Sequence, residues 1–98
     1  MNKNITLFFL ISVGLLLIVT RVIAQVSDYE KANLAFNRGD YKTSYNLIRP
    51  LAKKGFAQAQ YSLGIMYEKG KGVDLNLKKA KKWFQLAAQQ GISKAQYK

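Results

Sequence analysis

The sequence predicts an all-α protein built from stacked helical hairpins, a helical solenoid. Between residues 57 and 91, apolar residues recur at helical spacing on both sides of a glycine-rich turn. The segment GFAQAQY at residues 55–61 also returns as GISKAQY at residues 91–97, a shift of 36 residues. A repeat of this length is typical of helical hairpins that cover their apolar faces by stacking on one another.

The first 24 residues are predicted to be a signal peptide that lies outside the solenoid. Lys3 precedes an almost unbroken apolar run over residues 5–19, and residues 22–24, Val-Ile-Ala, place small side chains before a cleavable bond. The run is shorter than the ~20 residues of a usual membrane span, and Arg21 follows it. We therefore predict a periplasmic or secreted protein that is cleaved after Ala24. An uncleaved inner-membrane anchor that faces outward is the alternative.

Residues 25–55 are predicted to form a first, divergent hairpin. Its inner helix covers residues 28–38, and the turn that follows contains Asp40 as the N-cap of the outer helix. Pro50 removes one backbone hydrogen bond from the outer helix, so we expect a bend there. Four positions of the outer helix recur 36 residues later in the second hairpin: Ser44, Ile48, Ala52 and Gly55 become Ala80, Phe84, Ala88 and Gly91.

Residues 56–91 are predicted to form the second hairpin. Its inner helix, residues 57–69, is apolar on two sides and is therefore expected to pack on two sides. Gly64 in this helix would let another backbone come close. The outer helix begins after Asn76, a predicted N-cap, and one apolar stripe of it faces the inner helix, which puts Trp83 in the core. Residues 92–98 begin a third repeat and leave it incomplete.

The second hairpin resembles the Sel-1-like repeat, a relative of the tetratricopeptide repeat. The resemblance lies in a Leu-Gly pair, a Tyr, a Gly-x-Gly-Val turn, and then Ala, Trp-aromatic and Ala-Ala-x-x-Gly, all in order. Asn76 stands where the family more often has Asp. The structural repeat positions are Ala59, Leu63, Gly64, Tyr67, Gly70, Gly72, Val73, Ala80, Trp83, Phe84, Ala87, Ala88 and Gly91. The resemblance implies a protein-interaction scaffold.

The composition argues against catalysis. The chain has no His and no Cys, which removes the commonest general base, the thiol nucleophile and Cys/His metal sites. Its five acidic residues show no spacing that would bring two carboxylates to one cleft. We therefore predict no enzyme activity, no catalytic residue, no cofactor and no metal ion.

The formal charge of +11 leaves more than one interpretation of the basic residues. The densest cluster contains Lys78, Lys79, Lys81 and Lys82. It is either a solvated outer face or a surface that attracts anionic lipids or envelope polymers. Nucleic acid is not a predicted partner, because export separates the protein from it and no base-reading motif accompanies the lysines.

The function predicted from these patterns is that of an exported scaffold or adaptor for protein–protein interactions. Stacked hairpins expose a concave surface of inner helices that suits a peptide or a partner helix. The predicted contact residues are Gln58, Ser62 and Lys69. The partner is a protein of unknown identity, and membrane contact is limited to the signal segment before cleavage. The alternative is a basic envelope-associated protein that binds anionic surfaces through the lysine-rich outer helix.

Overall fold

A computed structural model of the protein describes residues 3–92 and Ala95. The helices are α1 (Lys3–Asn37), α2 (Tyr41–Lys53), α3 (Ala57–Lys69) and α4 (Leu77–Gln89). They pack in chain order, α1 on α2, α2 on α3 and α3 on α4. Short turns between packed helices make consecutive helices antiparallel. The predicted all-α fold of stacked hairpins is confirmed.

The helix α1 is longer than the sequence patterns indicated. We expected an inner helix that begins near Asp28, separate from the apolar segment, but one unbroken helix of 35 residues contains both. Gly14 is the only glycine between residues 4 and 23, and neither Gly nor Pro occurs between Ala24 and Asn37. Since nothing in this stretch interrupts a helix, the two segments join.

The apolar half of α1 projects away from the hairpins. Its large apolar side chains between Ile5 and Ile23 are exposed, and the protein measures 61 Å along its longest axis. The most apolar 18-residue window of this helix has a mean hydropathy of 2.6, and the helix is long enough to cross a membrane. A signal segment and a membrane anchor both have this character.

The core lies between the four helices and draws on each of them. Ile48, Leu63 and Met66 are its largest fully buried side chains. Small residues complete it where helices approach closely, among them Ala32, Ala52, Ala59, Ala80 and Ala87. Ala95 is also buried against this core. The rest of the predicted third repeat, apart from Ile92, lies outside the described residues.

Two aromatic residues of α4 occupy different environments. Phe84 is 2% exposed and lies over Gly64, where an added Cβ would be 2.6 Å from the Phe84 Cε1 atom. The close approach predicted at Gly64 is therefore made by a ring and not by a backbone. Trp83 is half-buried at the edge of the core, which corrects the prediction that it lies within it. On a helix, Ala80, Phe84 and Ala87 define the centre of the buried stripe, and Trp83 falls to one side.

Side chains cap the two outer helices as predicted. Asp40 Oδ1 accepts a hydrogen bond from the Thr43 N–H at 3.3 Å, and Asn76 Oδ1 accepts one from the Lys79 N–H at 3.0 Å. Hydrogen bonds to the Asp40 carboxylate lower its pKa. The largest contribution comes from the Thr43 side chain, and the second largest comes from the Thr43 N–H. The helix α2 continues through Pro50 to Lys53.

A network of side-chain amides, with Gln60 buried and Gln90 exposed, joins the ends of α2, α3 and α4. Gln60 is only 5% exposed, and its Nε2 donates to the Ala52 carbonyl oxygen at 3.2 Å. The Nε2 of Gln90 donates to Gln60 Oε1 at 2.8 Å and to the Gly55 carbonyl oxygen at 2.9 Å. Buried polar groups need such partners, so this network fixes how the second hairpin sits on the first.

Candidate interaction groove

The inner helices α1 and α3 meet through Tyr29. Its ring packs edge-on against Phe56 with 5.4 Å between the ring centroids, and its hydroxyl oxygen lies 3.5 Å from Ser62 Oγ. This contact joins the two inner helices near the start of α3. Beyond it, the surface between the helices opens into a groove.

The groove contains a small pocket of about 150 Å³, which we call the α1–α3 pocket. Its lining residues are Asn33, Phe36, Ser62, Ile65 and Met66. Three of them are apolar, and the other two bring an amide and a hydroxyl. An apolar cavity of roughly this volume is known to hold a benzene-sized molecule. The pocket therefore suits one apolar side chain with polar atoms beside it.

The three predicted contact residues lie on one side of α3. Gln58, Ser62 and Lys69 are four and seven residues apart, which aligns them on a helix. Gln58 and Lys69 are exposed, whereas Ser62 is half-buried and contributes to both the pocket and the junction with Tyr29. Ser62 is thus partly a packing residue, because α1 approaches α3 at this point.

Four lining residues of the pocket were not predicted as contact residues. Asn33 and Phe36 fall in the predicted inner helix 28–38, and Ile65 and Met66 fall in the predicted inner helix 57–69, which was expected to pack on two sides. The available signal was Ile65, an apolar residue that lies on the same side of α3 as the polar Ser62 and Lys69. Recognising the pocket itself required knowing how α1 lies beside α3.

The structural repeat positions fall into three groups. Ala59, Leu63, Gly64, Tyr67, Ala80, Phe84 and Ala87 are buried. Trp83, Ala88 and Val73 are half-buried. Gly70, Gly72 and Gly91 have positive φ angles in turns. Packing and turn geometry therefore account for every one of these positions.

A second, more polar hollow lies between α2 and the turn before α4. The hydroxyl oxygens of Tyr45 and Tyr67 are 3.3 Å apart there, and Lys79 Nζ is 5.4 Å from the centroid of the Tyr67 ring. Burial, and then the hydrogen bond with Tyr67, raise the pKa of Tyr45. A phenol with a raised pKa stays protonated at neutral pH.

The lysine cluster of α4 is fully on the surface. Lys78, Lys79, Lys81 and Lys82 are all exposed. Two of them lie over aromatic rings, Lys79 over Tyr67 and Lys82 over Trp83, with 5.6 Å from Lys82 Nζ to the Trp83 ring. Among residues 3–92 and Ala95, no group of three or more His, Cys, Asp or Glu side chains is arranged to hold a metal ion.

Stacked antiparallel hairpins with a groove between their inner helices define a helical-repeat protein of the tetratricopeptide type. A family model described as the Sel1 repeat matches residues 57–92, which are α3, α4 and their flanks. Residues 57–92 therefore form a Sel1 repeat. Sel1 repeats typically mediate protein–protein interactions and act as non-enzymatic scaffolds.

Three curated proteins show the same similarity. A putative sel1-like repeat-containing protein of Acanthamoeba polyphaga mimivirus is 43% identical over 51 residues, 52% of this chain and 10% of that protein. Chitin synthase regulatory factor 3 of Schizosaccharomyces pombe is 37% identical over 84 residues, 74% of this chain and 9% of that protein. A chitin synthase regulator of Saccharomyces cerevisiae is 49% identical over 57 residues, 58% of this chain and 8% of that protein.

The chain thus spans about a tenth or less of the length of these relatives. No solved structure matches it significantly.

Proposed function

We propose that this protein is an exported interaction module whose groove between α1 and α3 binds a segment of a partner protein. The α1–α3 pocket is the observation that carries the proposal, because it joins apolar lining atoms to the exposed Asn33 amide and the half-buried Ser62 hydroxyl. Such a combination is typical of surfaces that bind peptides or helices. Gln58 and Lys69 extend the contact surface along α3, and Ser62 contributes at the pocket.

Export is the second part of the proposal. The apolar half of α1 supports it, since this segment is exposed and has the length and hydropathy of a signal or anchor. We propose cleavage after Ala24, which releases a periplasmic or secreted module that begins at Gln25. Retention of the helix as an outward-facing membrane anchor is the competing form. Sequencing the N-terminus of protein from the extracytoplasmic fraction distinguishes a chain that begins at Gln25 from one that begins at Met1.

The names of two relatives support regulation of a partner and not catalysis. Both fungal proteins are described as regulators of chitin synthase. By analogy, we propose that this module changes the activity or placement of the protein it binds. The identity of that protein does not follow from the relatives, since the matched segments make up only 9% and 8% of those two proteins.

Site-specific photo-crosslinking tests where the partner binds. A crosslinking amino acid replaces Gln58 on the groove side of α3 in one variant and Lys82 on the outer side of α4 in another. We expect the position-58 variant to capture a discrete protein from the envelope fraction. A product that forms only from position 82 would contradict groove binding.

The lysine cluster carries the second candidate function, attachment to an anionic surface, because four exposed cations lie on one short helix. Salt dependence separates the two functions. Attachment through lysines weakens steeply as salt rises, whereas groove packing weakens modestly. Lys78→Gln with Lys82→Gln should leave affinity for a groove partner within a few fold, and Gln58→Arg with Asn33→Arg should abolish it.

A further inference from the structure

We infer that the groove selects an extended acidic peptide in which one apolar residue is followed or preceded, two positions away, by Asp or Glu. This inference rests on the proposed function and names the chemistry of the partner. It depends on the size of the pocket, on the charges at the two ends of the groove, and on the spacing between them.

The size and lining of the α1–α3 pocket determine the kind of apolar residue that the peptide needs. Phe36 and Ile65 are half-buried, so these two side chains keep apolar surface partly uncovered beside the buried Met66. A volume of about 150 Å³ accommodates one branched or aromatic side chain and not two. Covering the pocket therefore favours a single anchor residue such as Leu or Phe.

The exposed amides beside the pocket indicate the conformation of the rest of the bound peptide. Asn33 and Gln58 are exposed amides on the two helices that border the groove, and Asn37 lies one turn beyond Asn33. Amides donate to and accept from peptide bonds, so they suit a backbone that is extended and has unpaired polar groups. A partner helix satisfies its own backbone, so only its side chains, and not its main chain, could bond to these amides.

The ends of the groove carry opposite charges. Lys69 is exposed at the C-terminal end of α3, and Arg38 is exposed directly after α1. At the other end, the exposed Glu30 precedes Asn33 by three residues on α1. An acidic side chain is attracted to the Lys69 end and repelled from the Glu30 end. The acidic residue is therefore expected on the Lys69 side of the anchor.

The spacing follows from helix and strand geometry. Lys69 lies four residues after Ile65, which corresponds to about 6 Å along a helix. An extended peptide advances about 3.3 Å per residue, so two residues cover this distance. The expected motif is apolar-x-acidic or its reverse, depending on the direction in which the peptide lies.

A synthetic array of seven-residue peptides tests the motif on the full chain in detergent micelles. Each peptide contains an anchor residue, which is Leu, Phe or Ala, and a test residue, which is Asp, Asn or Lys. The test residue lies one, two or three positions from the anchor along the peptide. We expect the Leu and Phe peptides to bind about tenfold or more tightly than the Ala peptides, since burial of each methylene contributes. The Asp peptide with a two-position spacing should exceed its Asn counterpart by about threefold, the size of an exposed ion pair.

Two variants and a matched control make the assignment specific. Lys69→Glu should invert the charge preference from Asp to Lys, while Lys82→Glu, the same change on α4, should leave it unaltered. Ile65→Ala should widen the pocket and shift the preference from Leu toward Phe. Since Ile65 and Lys69 are not fully buried, both variants should fold, and circular dichroism verifies this.

The outcomes separate this inference from the proposed function. Crosslinking of a partner through position 58 without any preference in the array overturns the peptide motif and leaves groove binding in place. A charge preference that follows Lys82 and not Lys69 overturns the motif and assigns recognition to the lysine cluster. Crosslinking only through position 82 overturns groove binding itself.

Discussion

At the scale of single residues, Phe84 and Trp83 show how neighbouring aromatic side chains in one helix differ in their contribution to stability. Phe84 is almost completely buried and contacts Tyr61, with 5.6 Å between the ring centroids. Trp83 covers the edge of the core and is itself partly covered by Lys82. Truncation leaves a cavity at Phe84 but mainly exposes existing surface at Trp83.

We therefore expect Phe84→Ala to lower the free energy of unfolding by about 3–5 kcal/mol, and Trp83→Ala to lower it by less. Denaturant titration of both variants measures the difference. Equal losses would show that Trp83 is buried as deeply as Phe84 and that the edge position described above is wrong.

Gly64 provides a second prediction at this scale. Alanine favours a helix by about 1 kcal/mol over glycine, so Gly64→Ala would stabilise an isolated helix. Here the added Cβ would lie 2.6 Å from Phe84 Cε1 and 2.7 Å from Phe84 Cδ1, and the buried ring must move. Overpacking typically costs about 1–3 kcal/mol, so we expect a net loss.

A double variant provides the control. Gly64→Ala should cost less in a Phe84→Leu background than in the parent chain, because the smaller side chain relieves the clash. Identical costs in both backgrounds would place the strain elsewhere.

At the scale of helices, the two outer helices carry equivalent caps with different responses to pH. The pKa of Asp40 is lower in the folded protein than in the unfolded chain. The Asp40 cap therefore stabilises the protein above the unfolded pKa, and this contribution disappears as the pH falls through the lowered folded pKa. The cap at Asn76 does not ionise.

Asp40→Asn keeps a good N-cap and should remove this part of the acid dependence, since Asn and Asp cap helices about equally well. Thermal melts of parent and variant between about pH 2 and 7 should differ in slope at the acid end and agree near neutrality. Parallel curves throughout would mean that the Thr43 contact does not distinguish the folded from the unfolded carboxylate.

The amide network yields a further prediction about how helices are joined. Gln90→Ala removes a donor from the buried Gln60 Oε1, and an unsatisfied buried acceptor costs about 1–3 kcal/mol. The adjacent Gln89 is exposed and has no such bond in the described network, so Gln89→Ala should change stability by less than about 0.5 kcal/mol. Denaturation midpoints of the two variants test the contrast; similar midpoints would argue against the network.

At the scale of the whole molecule, the apolar half of α1 and the hairpins are nearly independent. The candidate membrane span has no buried residues in its most apolar window, whereas the contacts of α1 with the core begin at Tyr29 and Ala32. The loss of an exposed helical extension removes little packing.

A chain that begins at Gln25 should therefore retain the stability of the hairpins to within about 1 kcal/mol, or roughly 4–8 °C in Tm for a domain of this size. Thermal melts of that chain and of the full chain in micelles make the comparison. A larger loss would show that residues 3–24 support the first hairpin directly.

The sequence by itself determined the class of fold, the helix boundaries near the caps, and the Sel1 repeat. These features follow from local sequence patterns, which are the spacing of Leu63, Phe84 and Ala87, the capping residues Asp40 and Asn76, and the glycines of the turns. Each depends on neighbours within a few positions along the chain, so periodicity and cap chemistry were sufficient to predict them.

The tertiary structure alone decided which residues meet across the repeats. Trp83 lies at the edge of the core, Ser62 faces Tyr29, and Gln60 pairs with Gln90, which is 30 residues away. The α1–α3 pocket also depends on tertiary packing, because its lining residues Phe36 and Ile65 belong to different hairpins. Such contacts depend on the angle and offset between packed helices. Many side chains on both helices determine this angle and offset through the packing of ridges into grooves, and the periodicity of one helix does not encode them.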